Sequence, residues 1–563
     1  MQLKLPNTPL HALAATRKTN DPDTPTVWEA MASDESEDWW TAMEDEIQSL
    51  KKRKTWKIVP RTKAGNKPVI PGTWSMKKKR YPDGRFRKHK ARWCKRGDIE
   101  RKRAGPSLNT YSPVVAWSTV RIMLLLGLIC GLKTKQVDYT NAFAQADLPE
   151  PAYMELPLHF KHLGTGIDDP IIELRKSLYG GALAARHWYE KLSKGLITRG
   201  FRQSQIDPCS FIRHDMIIIT YIDDCIHWYK DEAVMDEFIT SLKNDGDEYN
   251  WEHTVEGEVS SFLGINILHN KRTNEYKLLQ TGLIDKILEA TGMQDCNAKP
   301  TPCTSDGKPL GSDSNGPPAT ADWSYASVIG MMLYLAGNSR PDIAFAVHQC
   351  GRFTHAVKAS HEAAVIRICR YLKGTREQGL ILKPGQELKV DCYVDADFGG
   401  LFGVEHPEDP ACAKSRSGYV IMLANCPLVW TSKLQTTIAL STQNAEYVAL
   451  SQSLRDLVPL RELLLDLVGT LGIGTDIKFE TRSKAFEDNA AALQFAKTGK
   501  ITLQNKHIAT KYHWFRSHLK LDSNPDGWLD IEKVDSESQL GDILTKNLQH
   551  EKFVKAHQFL CGW

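Results

Sequence analysis

Residues 217–224 read IIITYIDD, a run of β-branched and apolar side chains that ends on two adjacent aspartates. Such a run predicts a buried or half-buried strand. The aspartates need a separate explanation, because Asp is depleted in strands and neighbouring carboxylates repel each other unless solvent or a cation separates them. Residues 225–229, CIHWY, supply a return strand. The aspartates therefore either close a polar hairpin turn or form a metal site at a hairpin tip.

Length and composition are those of an ordinary globular protein. The chain has 563 residues, of which 41% are hydrophobic and 25% are charged, and this predicts about three or four domains. The N-terminus lacks the apolar core of a signal peptide, and the longest apolar stretch, IMLLLGLICGL, is too short to cross a bilayer. The 12 cysteines show no C-x-x-C pair and no zinc-ligand spacing, which is typical of reduced proteins. We expect a soluble intracellular protein with no membrane partner.

Positive charge is concentrated in one segment. The whole chain has a formal charge of +4, whereas residues 51–103 contain 22 Lys or Arg against 3 Asp or Glu. Aromatic residues are interleaved with these cations. A solvated surface is one interpretation, but this density favours a polyanion partner, because binding to phosphates releases condensed counterions.

Residues 299–322 are rich in Pro, Gly and Ser and form the clearest predicted linker. Before the linker, helical patterns alternate with predicted strands. After it come further helical patterns, and a second α/β pattern begins at about residue 386. The predicted helices lie around residues 21–60, 117–132, 173–200, 231–244, 323–351 and 359–374.

Acidic residues at the ends of predicted elements form two candidate sets. The first joins Asp138, which ends the strand-like KQVDY, to Asp223 and Asp224. Mg²⁺ prefers such hard oxygen ligands, and polymerase-type phosphoryl transfer uses carboxylate-bound ions. The second set comes from four separate predicted elements and comprises Asp395, Glu446, Asp488 and Asp542.

The second set matches the two-metal arrangement that cleaves a phosphodiester with water. Each member, taken singly, also has an ordinary structural interpretation, because acids at helix starts complement the helix dipole or cap free amides. Asp488, which directly precedes Asn489, is typical of such a cap region. Both interpretations stay open from these residues alone.

Short motifs along the chain occur in the order that is typical of one family. They are KHKARWCKRGD, YSPVV, QVDYTNAFAQADL, KSLYG, DPCSF, YIDD, FLGI, IGMMLYLAGNSRPDIAFAV, RYLKGT, DADFGG, SGYV, STQNAEYVALS, DNAAA, KHIATKYH and GDILTK. From about residue 24 to its end, the chain resembles the reverse transcriptase and RNase H portion of a copia-type (Pseudoviridae-like) LTR retrotransposon polyprotein.

The resemblance implies a multidomain fold of α/β and α+β parts, with a right-hand polymerase of palm, fingers and thumb followed by an RNase H-like mixed-sheet α/β domain. The implied divisions are a disordered leader (1–23), the reverse transcriptase (24–298), a linker with a connection region (299–385) and the RNase H-like domain (386–563).

The resemblance also implies roles for individual residues. Asp138, Asp223 and Asp224 would be the catalytic metal ligands of the polymerase, and Asp395, Glu446, Asp488 and Asp542 those of the RNase H. Lys90 and Arg92 would face the incoming triphosphate. Phe143 would exclude a 2′-hydroxyl sterically, although plain core packing remains an alternative for it. Leu183 would lie in the nucleotide pocket.

The implied activity is RNA-directed DNA synthesis with hybrid-dependent ribonuclease H cleavage. Each active site would hold two Mg²⁺ ions, with Mn²⁺ as a substitute. The implied partners are an RNA template, a DNA primer, the RNA–DNA hybrid and deoxynucleoside triphosphates, while self-association and an integrase partner stay open. The implied location is cytoplasmic, in a virus-like particle, with access to the nucleus.

One motif departs from the family. The family usually reads LYGLKQAPRAWY where this chain reads LYGGALAARHWY, so that Leu183 replaces a glutamine and Ala185 a proline. The alternative function is therefore a catalytically impaired relic that binds nucleic acid and retains only RNase H activity or none. No protease Asp-Ser/Thr-Gly motif and no zinc-binding integrase segment occur in the sequence, so we expect the C-terminal part of a polyprotein or a truncated reading frame.

Overall fold

The structure is a computed structural model, and it describes residues 22–81, 84–106, 108–243, 248–304, 308–471, 480, 482–499 and 506–563. Nearly all of the predicted leader lies outside these ranges. No helix in the described part of the chain is both long enough and apolar enough to cross a membrane.

Helices and strands alternate in the first half of the chain. The helices are α1 (Val27–Ala32), α2 (Ser36–Lys52), α3 (Gly97–Ala104), α4 (Trp117–Ile129), α5 (Ala184–Thr198) and α6 (Glu232–Ser241). The strands are β1 (Trp56–Pro60), β2 (Val69–Ile70), β3 (Gly72–Arg80), β4 (Phe86–Lys95), β5 (Lys133–Tyr139), β6 (Asp147–Met154), β7 (Pro170–Lys176), β8 (Arg202–Gln203), β9 (Ser210–Arg213), β10 (Met216–Tyr221), β11 (Asp224–Tyr229) and β12 (His253–Gly257).

The second half begins with a small sheet and a helical region and continues into a five-stranded sheet. Its helices are α7 (Thr281–Ala290), α8 (Tyr325–Asn338), α9 (Ala344–Gly351), α10 (Ala359–Gly374), α11 (Thr442–Leu471), α12 (Ala490–Thr498), α13 (Asp542–Thr545) and α14 (His550–Cys561). Its strands are β13 (Ser261–Phe262), β14 (Ile265–Asn270), β15 (Glu275–Leu279), β16 (Leu380–Leu382), β17 (Val390–Asp397), β18 (Arg416–Leu423), β19 (Cys426–Leu434), β20 (Ser483–Glu487) and β21 (Leu529–Lys533).

Three predicted helices differ from the structure. The single helix over 21–60 is wrong: α1 and α2 are separate, and the β-prone WKIVP forms β1. The helix over 173–200 is wrong at its start, where β7 and a loop containing Gly180 (φ +77°) precede α5. The pattern over 323–351 forms two helices, α8 and α9, instead of one. Pro341 lies between them and has no backbone N–H to donate a hydrogen bond inside a continuous helix.

The six-stranded sheet has the order β12-β5-β11-β10-β9-β8. The stretch IIITYI falls on β10 and its turn, and β10 pairs antiparallel with β11. Ile217, Ile218 and Ile219 are all fully buried, because α4 covers one face of this sheet and α5 and α6 cover the other. The predicted strand and return strand therefore form a hairpin, with the two aspartates at its tip.

The five-stranded sheet has the order β19-β18-β17-β20-β21. Strands β17, β18 and β19 are antiparallel neighbours, whereas β17, β20 and β21 run parallel. Because β17 is central and β20 lies beside it in the same direction, their C-terminal ends meet at one edge. This edge carries the acids of the second set.

One hydrophobic core runs through both halves of the chain. It joins residues of α4 and β14 to helices α8 to α10 and to the five-stranded sheet with α11. A separate core lies between α2, the β3–β4 hairpin and β7. The five-stranded sheet is thus packed directly on the elements that precede it.

Candidate active sites

The first candidate site lies at the tip of the β10–β11 hairpin. Strand β11 has β10 on one side and β5 on the other, and Asp224 is directly opposite Asp138 in the ladder. A two-residue turn, Ile222–Asp223, joins Tyr221 to Asp224. The sheet register therefore brings the three aspartates of the first set to one place.

Backbone contacts fix this turn. Ile222 adopts φ +58°, which is unfavourable for a β-branched residue. The indole Nε1 of Trp188 donates a hydrogen bond to the Ile222 carbonyl at 2.6 Å, and the amide of Tyr139 donates to the Asp223 carbonyl at 2.9 Å. Strain held by such contacts is typical of functional sites.

Two aspartates of the first site, Asp138 and Asp224, have a raised pKa. Burial raises the pKa of Asp224 to about 7, and the charges of Asp223 and Asp138 add to this shift. Burial and Asp223 also raise the pKa of Asp138. Within the part of the chain that the structure describes, the three carboxylates do not all come within 4.8 Å of one another. They supply the oxygen donors that a divalent ion prefers, but a shared ion needs their side chains to turn closer together.

Basic side chains of the β3–β4 hairpin face these aspartates. Burial lowers the pKa of Lys90 to about 8, the charges of Arg92 and Lys79 lower it further, and Asp223 opposes the shift. Burial likewise lowers the pKa of Lys79, and the charges of Asp223 and Asp224 oppose this shift. The charges of Lys90 and Arg92 in turn lower the pKa of Asp138, against the effect of burial. Sequence reasoning missed Lys79, which lies in a run of four cations.

Tyr179 links two of the predicted nucleotide contacts. The guanidinium of Arg92 lies over the Tyr179 ring at 4.4 Å, and the Phe143 ring meets the same ring edge-on, with the centroids 4.9 Å apart. Sequence reasoning did not assign Tyr179, although it lies in the quoted KSLYG motif.

Leu183 directly precedes α5 and is half-buried. Its loop is tied to the end of the β3–β4 hairpin, because the Lys95 amide donates to the Tyr179 carbonyl at 2.7 Å and the Gly97 amide donates to the Gly180 carbonyl at 3.1 Å. The side chain of Leu183 has no hydrogen-bonding group, so it cannot make a polar contact with a ligand.

The second candidate site lies at the edge where β17 and β20 end. Asp395 is on β17, Glu446 is in the second turn of α11, and Asp488 lies between β20 and α12. One carboxylate oxygen from each of these residues lies within 4.8 Å of the other two. Asp395 and Glu446 are buried, and Asp488 is partly exposed. Three acids that are distant in sequence thus converge.

The fourth predicted member, Asp542, lies beside this group and is ion-paired. Lys546 Nζ lies 2.7 Å from Asp542 Oδ1 and 3.2 Å from Asp395 Oδ1, and Lys552 Nζ lies 2.7 Å from Asp542 Oδ2. Asp542 and Asp395 are therefore neighbours that share one lysine. Asp542 is not one of the residues whose carboxylate oxygens all lie within 4.8 Å of one another, which are Asp395, Glu446 and Asp488.

Glu487 adds a fifth acid that sequence reasoning missed. It is fully buried at the end of β20, and its position in that alternating strand could have indicated an inward-facing carboxyl. Burial raises the pKa of Glu446 far above its usual value of 4.5, and the charge of Glu487 raises it further. Burial likewise raises the pKa of Glu487.

The second site fits a divalent ion by its chemistry. Among the described residues, neither Glu446 Oε2 nor Glu487 Oε2 has a hydrogen-bond partner, although both atoms are buried. Unpaired buried carboxylate oxygens are costly, and a hard cation would satisfy them. Asp395, Glu446 and Asp488 are the residues placed to hold it.

Comparison with known proteins finds a family match in the first half of the chain. Residues 53–305 match the family model "Reverse transcriptase (RNA-dependent DNA polymerase)". The chain is 29% identical over 546 residues to a retrovirus-related Pol polyprotein from transposon TNT 1-94 of Nicotiana tabacum, covering 95% of this chain and 38% of that protein. It is 29% identical over 531 residues to the Pol polyprotein from transposon RE1 of Arabidopsis thaliana, covering 92% of this chain and 33% of that protein.

A solved structure, the foamy viral protease-reverse transcriptase dRH in complex with ds DNA, aligns with a TM-score of 0.45 and 13% identity over 88% of this chain and 69% of that one. The chain spans about a third of the length of the curated plant relatives that it matches. The predicted resemblance to copia-type retrotransposon polyproteins and the predicted multidomain α/β and α+β fold class are confirmed. Residues 53–305 are therefore similar to the reverse transcriptase family.

Proposed function

We propose that this chain, with its reverse transcriptase domain, is an RNA-directed DNA polymerase that also cleaves the RNA strand of RNA–DNA hybrids. The observation that carries the second activity is the convergence of Asp395, Glu446 and Asp488 within 4.8 Å at the edge of a mixed five-stranded sheet. The register of Asp138 opposite Asp224 supports the first activity.

At the first site, Asp138, Asp223 and Asp224 would hold two Mg²⁺ ions, or Mn²⁺ as a substitute. Bound there, the ions supply charge neutralisation and activation of the primer hydroxyl. The chain's own part is positional. Lys90 and Arg92 bind triphosphate oxygens, since Arg can grip two oxygens at once, and Tyr179 holds the Arg92 guanidinium in place. Phe143, packed against the same ring, blocks a 2′-hydroxyl.

At the second site, Asp395, Glu446 and Asp488 would hold the metal centre, with Asp542 completing it once Lys546 moves from between the acids. Metal ions bound there would supply an activated water and stabilise the leaving oxygen. Thr545 Oγ1 donates a hydrogen bond to Asp395 Oδ2 and so orients this carboxylate in the centre of the group.

The proposed partners follow from these activities. They are an RNA template, a DNA primer, the RNA–DNA hybrid and deoxynucleoside triphosphates. The excess of cations in residues 51–103 supports polyanion binding by this segment. The proposed location is the cytoplasm.

A second candidate function is a chain whose polymerase is impaired while its ribonuclease is retained. The observation that favours it is the apolar Leu183 at a position where the family has a polar nucleotide contact. Both candidates predict hybrid cleavage, and only the first predicts DNA synthesis at an ordinary rate.

One experiment separates the candidates. The full chain is given a labelled DNA primer on an RNA template with Mg²⁺, and extension and RNA cleavage are read in parallel. Both products support the main proposal, and cleavage alone supports the second candidate. Absence of both products, with hybrid binding retained, would reject both enzymatic functions.

A further inference from the structure

Arg121 is a buried cation at the junction of three parts of the chain. It belongs to α4, beside the six-stranded sheet, and is 3% exposed. Its guanidinium donates to the Leu428 carbonyl of β19 at 2.6 Å and to the Asn338 and Gly337 carbonyls of α8 at 2.7 and 3.1 Å. The side chain of Arg121 thus connects α4 to the backbone of both α8 and β19.

The acceptors are carbonyls that regular structure leaves free. Gly337 and Asn338 are in the last turn of α8, where carbonyls have no helical partner and the helix dipole attracts a cation. Leu428 lies at the β18–β19 register shift, opposite no residue of β18. The guanidinium therefore donates to three backbone carbonyls in a buried interface.

Trp430 completes the junction. Its ring lies 4.3 Å from the Arg121 guanidinium, and its Nε1 donates to the Ala336 carbonyl of α8 at 2.7 Å. A planar guanidinium stacked on an aromatic ring and held by three hydrogen bonds has one geometry. Burial lowers the pKa of Arg121 to about 9, which leaves the group charged at neutral pH.

A second tether lies on the surface, at a different edge. Arg202 of β8 binds Asp466 of α11 through two nitrogens, at 2.6 and 3.1 Å. Strand β8 is an edge of the six-stranded sheet, and α11 carries Glu446. The two tethers join the sheet of the first carboxylate site to β19 and α11 of the second.

We propose that Arg121 and the Arg202–Asp466 pair are positioning residues that hold the two carboxylate sites at one separation, so that the RNA strand is cut at a fixed distance behind the primer terminus. The inference rests on the proposed function, since it requires both sites to engage one hybrid. Successive nucleotides of one strand lie a few ångströms apart along a duplex, about 3.4 Å in double-stranded DNA. A displacement of a few ångströms between the sites therefore moves or spreads the cut by about one nucleotide.

The test maps cuts in a 5′-labelled RNA template annealed to DNA primers that differ in length by single nucleotides, with full-length protein, Mg²⁺ and no nucleotides. We expect one dominant cut that moves in step with the primer terminus. Arg121→Met and Arg202→Asp should each spread the cuts over neighbouring positions. Arg121→Lys should spread them less than Arg121→Met, because it keeps the charge but loses the planar fork.

The surface tether gives a rescue arm that does not depend on the buried residue. The Arg202–Asp466 pair is partly exposed, so its loss costs little stability. Combining Arg202→Asp with Asp466→Arg restores opposite charges and should restore the single cut. Arg272→Met, at an exposed position between β14 and β15, is the matched control and should leave the pattern unchanged. If Arg121→Met does not fold, the Arg202 arm decides alone.

The outcomes separate the two proposals. A wild-type chain that neither extends a primer nor cuts a hybrid would overturn the proposed function. The other case is a wild-type chain that does both. If Arg202→Asp and any folded Arg121 variant then cut at the same positions as Arg272→Met, the positioning role alone is overturned.

Discussion

Replacing Glu446 by Gln should make the metal-free protein more stable at neutral pH. Glu446 is 3% exposed, and burial together with Glu487 raises its pKa far above 4.5. At pH 7 the folded protein therefore holds a proton that the unfolded chain has released. Gln has the same shape and carries no charge, so the variant avoids this cost.

The magnitude follows from proton linkage. The unfolded chain has the usual pKa of 4.5 for this group, which is 2.5 pH units below pH 7. If the folded-state pKa exceeds 7, the free energy of unfolding at pH 7 is lowered by the cost of protonating the group across these 2.5 units. At about 1.4 kcal/mol per unit, this gives about 3.5 kcal/mol. The stability contribution is full below pH 4.5 and is lost as the pH rises towards the raised folded-state pKa, because the folded state binds more protons there.

The assay is thermal unfolding of the full chain in EDTA between pH 5 and pH 7. The melting temperature of Glu446→Gln should exceed that of the wild type by a margin that grows towards pH 7, at about 2–4 °C per kcal/mol for a cooperative unit of 150–250 residues. Glu237→Gln, on the exposed face of α6, removes the same charge and should show no such pH-dependent gain.

Magnesium should reverse the order. An ion that binds only the folded state raises its stability, and the wild type offers one more carboxylate than the variant. The wild type should therefore gain more in melting temperature from Mg²⁺, and the variant should lose hybrid cleavage. Equal gains in melting temperature from Mg²⁺ would show that Glu446 is not a metal ligand. A margin between the variant and the wild type that stays constant with pH would show that the pKa of Glu446 is not raised by folding.

Three further predictions concern the first site. Asp223→Asn should abolish primer extension through loss of several kcal/mol of transition-state stabilisation while hybrid cleavage persists, and normal extension would contradict the assignment. Leu183→Gln should raise the efficiency of deoxynucleotide incorporation about five-fold, since a restored polar contact is worth about 1 kcal/mol; steady-state kinetics that show no gain would make the departure neutral. Phe143→Val should raise ribonucleotide incorporation relative to deoxynucleotide about ten-fold or more, whereas a lower melting temperature with unchanged selectivity would show that this ring only packs.

The carboxylates at strand ends could be predicted because their signal is local. An apolar strand followed at once by acids is visible in IIITYIDD and in YVDADF, and a strand end at a sheet edge is where the structure places both. Helix ends were less predictable. The boundary between α2 and β1 depends on the burial of Trp56 against the core of α2 and β7, which is a tertiary contact.

Pairing between charges could not be read from the sequence. The spacing of Asp542 and Lys546 permits an ion pair, but only the fold shows that the same lysine also reaches Asp395. Glu487 stands beside a predicted ligand, yet whether its side chain points into the site or into solvent depends on the register of β20 against β17. Arg121 had no local signal, because all its acceptors are backbone atoms of distant segments.

The two acidic centres differ in what compensates their charge, and this difference has a physical consequence. At the second site, Lys546 directly follows α13, which begins at Asp542, and Lys552 lies in α14. At the first site, the nearby cations Lys79, Lys90 and Arg92 belong to a separate two-stranded hairpin. Movement of that hairpin would leave Asp138, Asp223 and Asp224 without nearby cations and raise their affinity for protons or metal ions. Ion binding at the first site should therefore depend on the position of the β3–β4 hairpin, whereas at the second site it depends on the displacement of one lysine side chain.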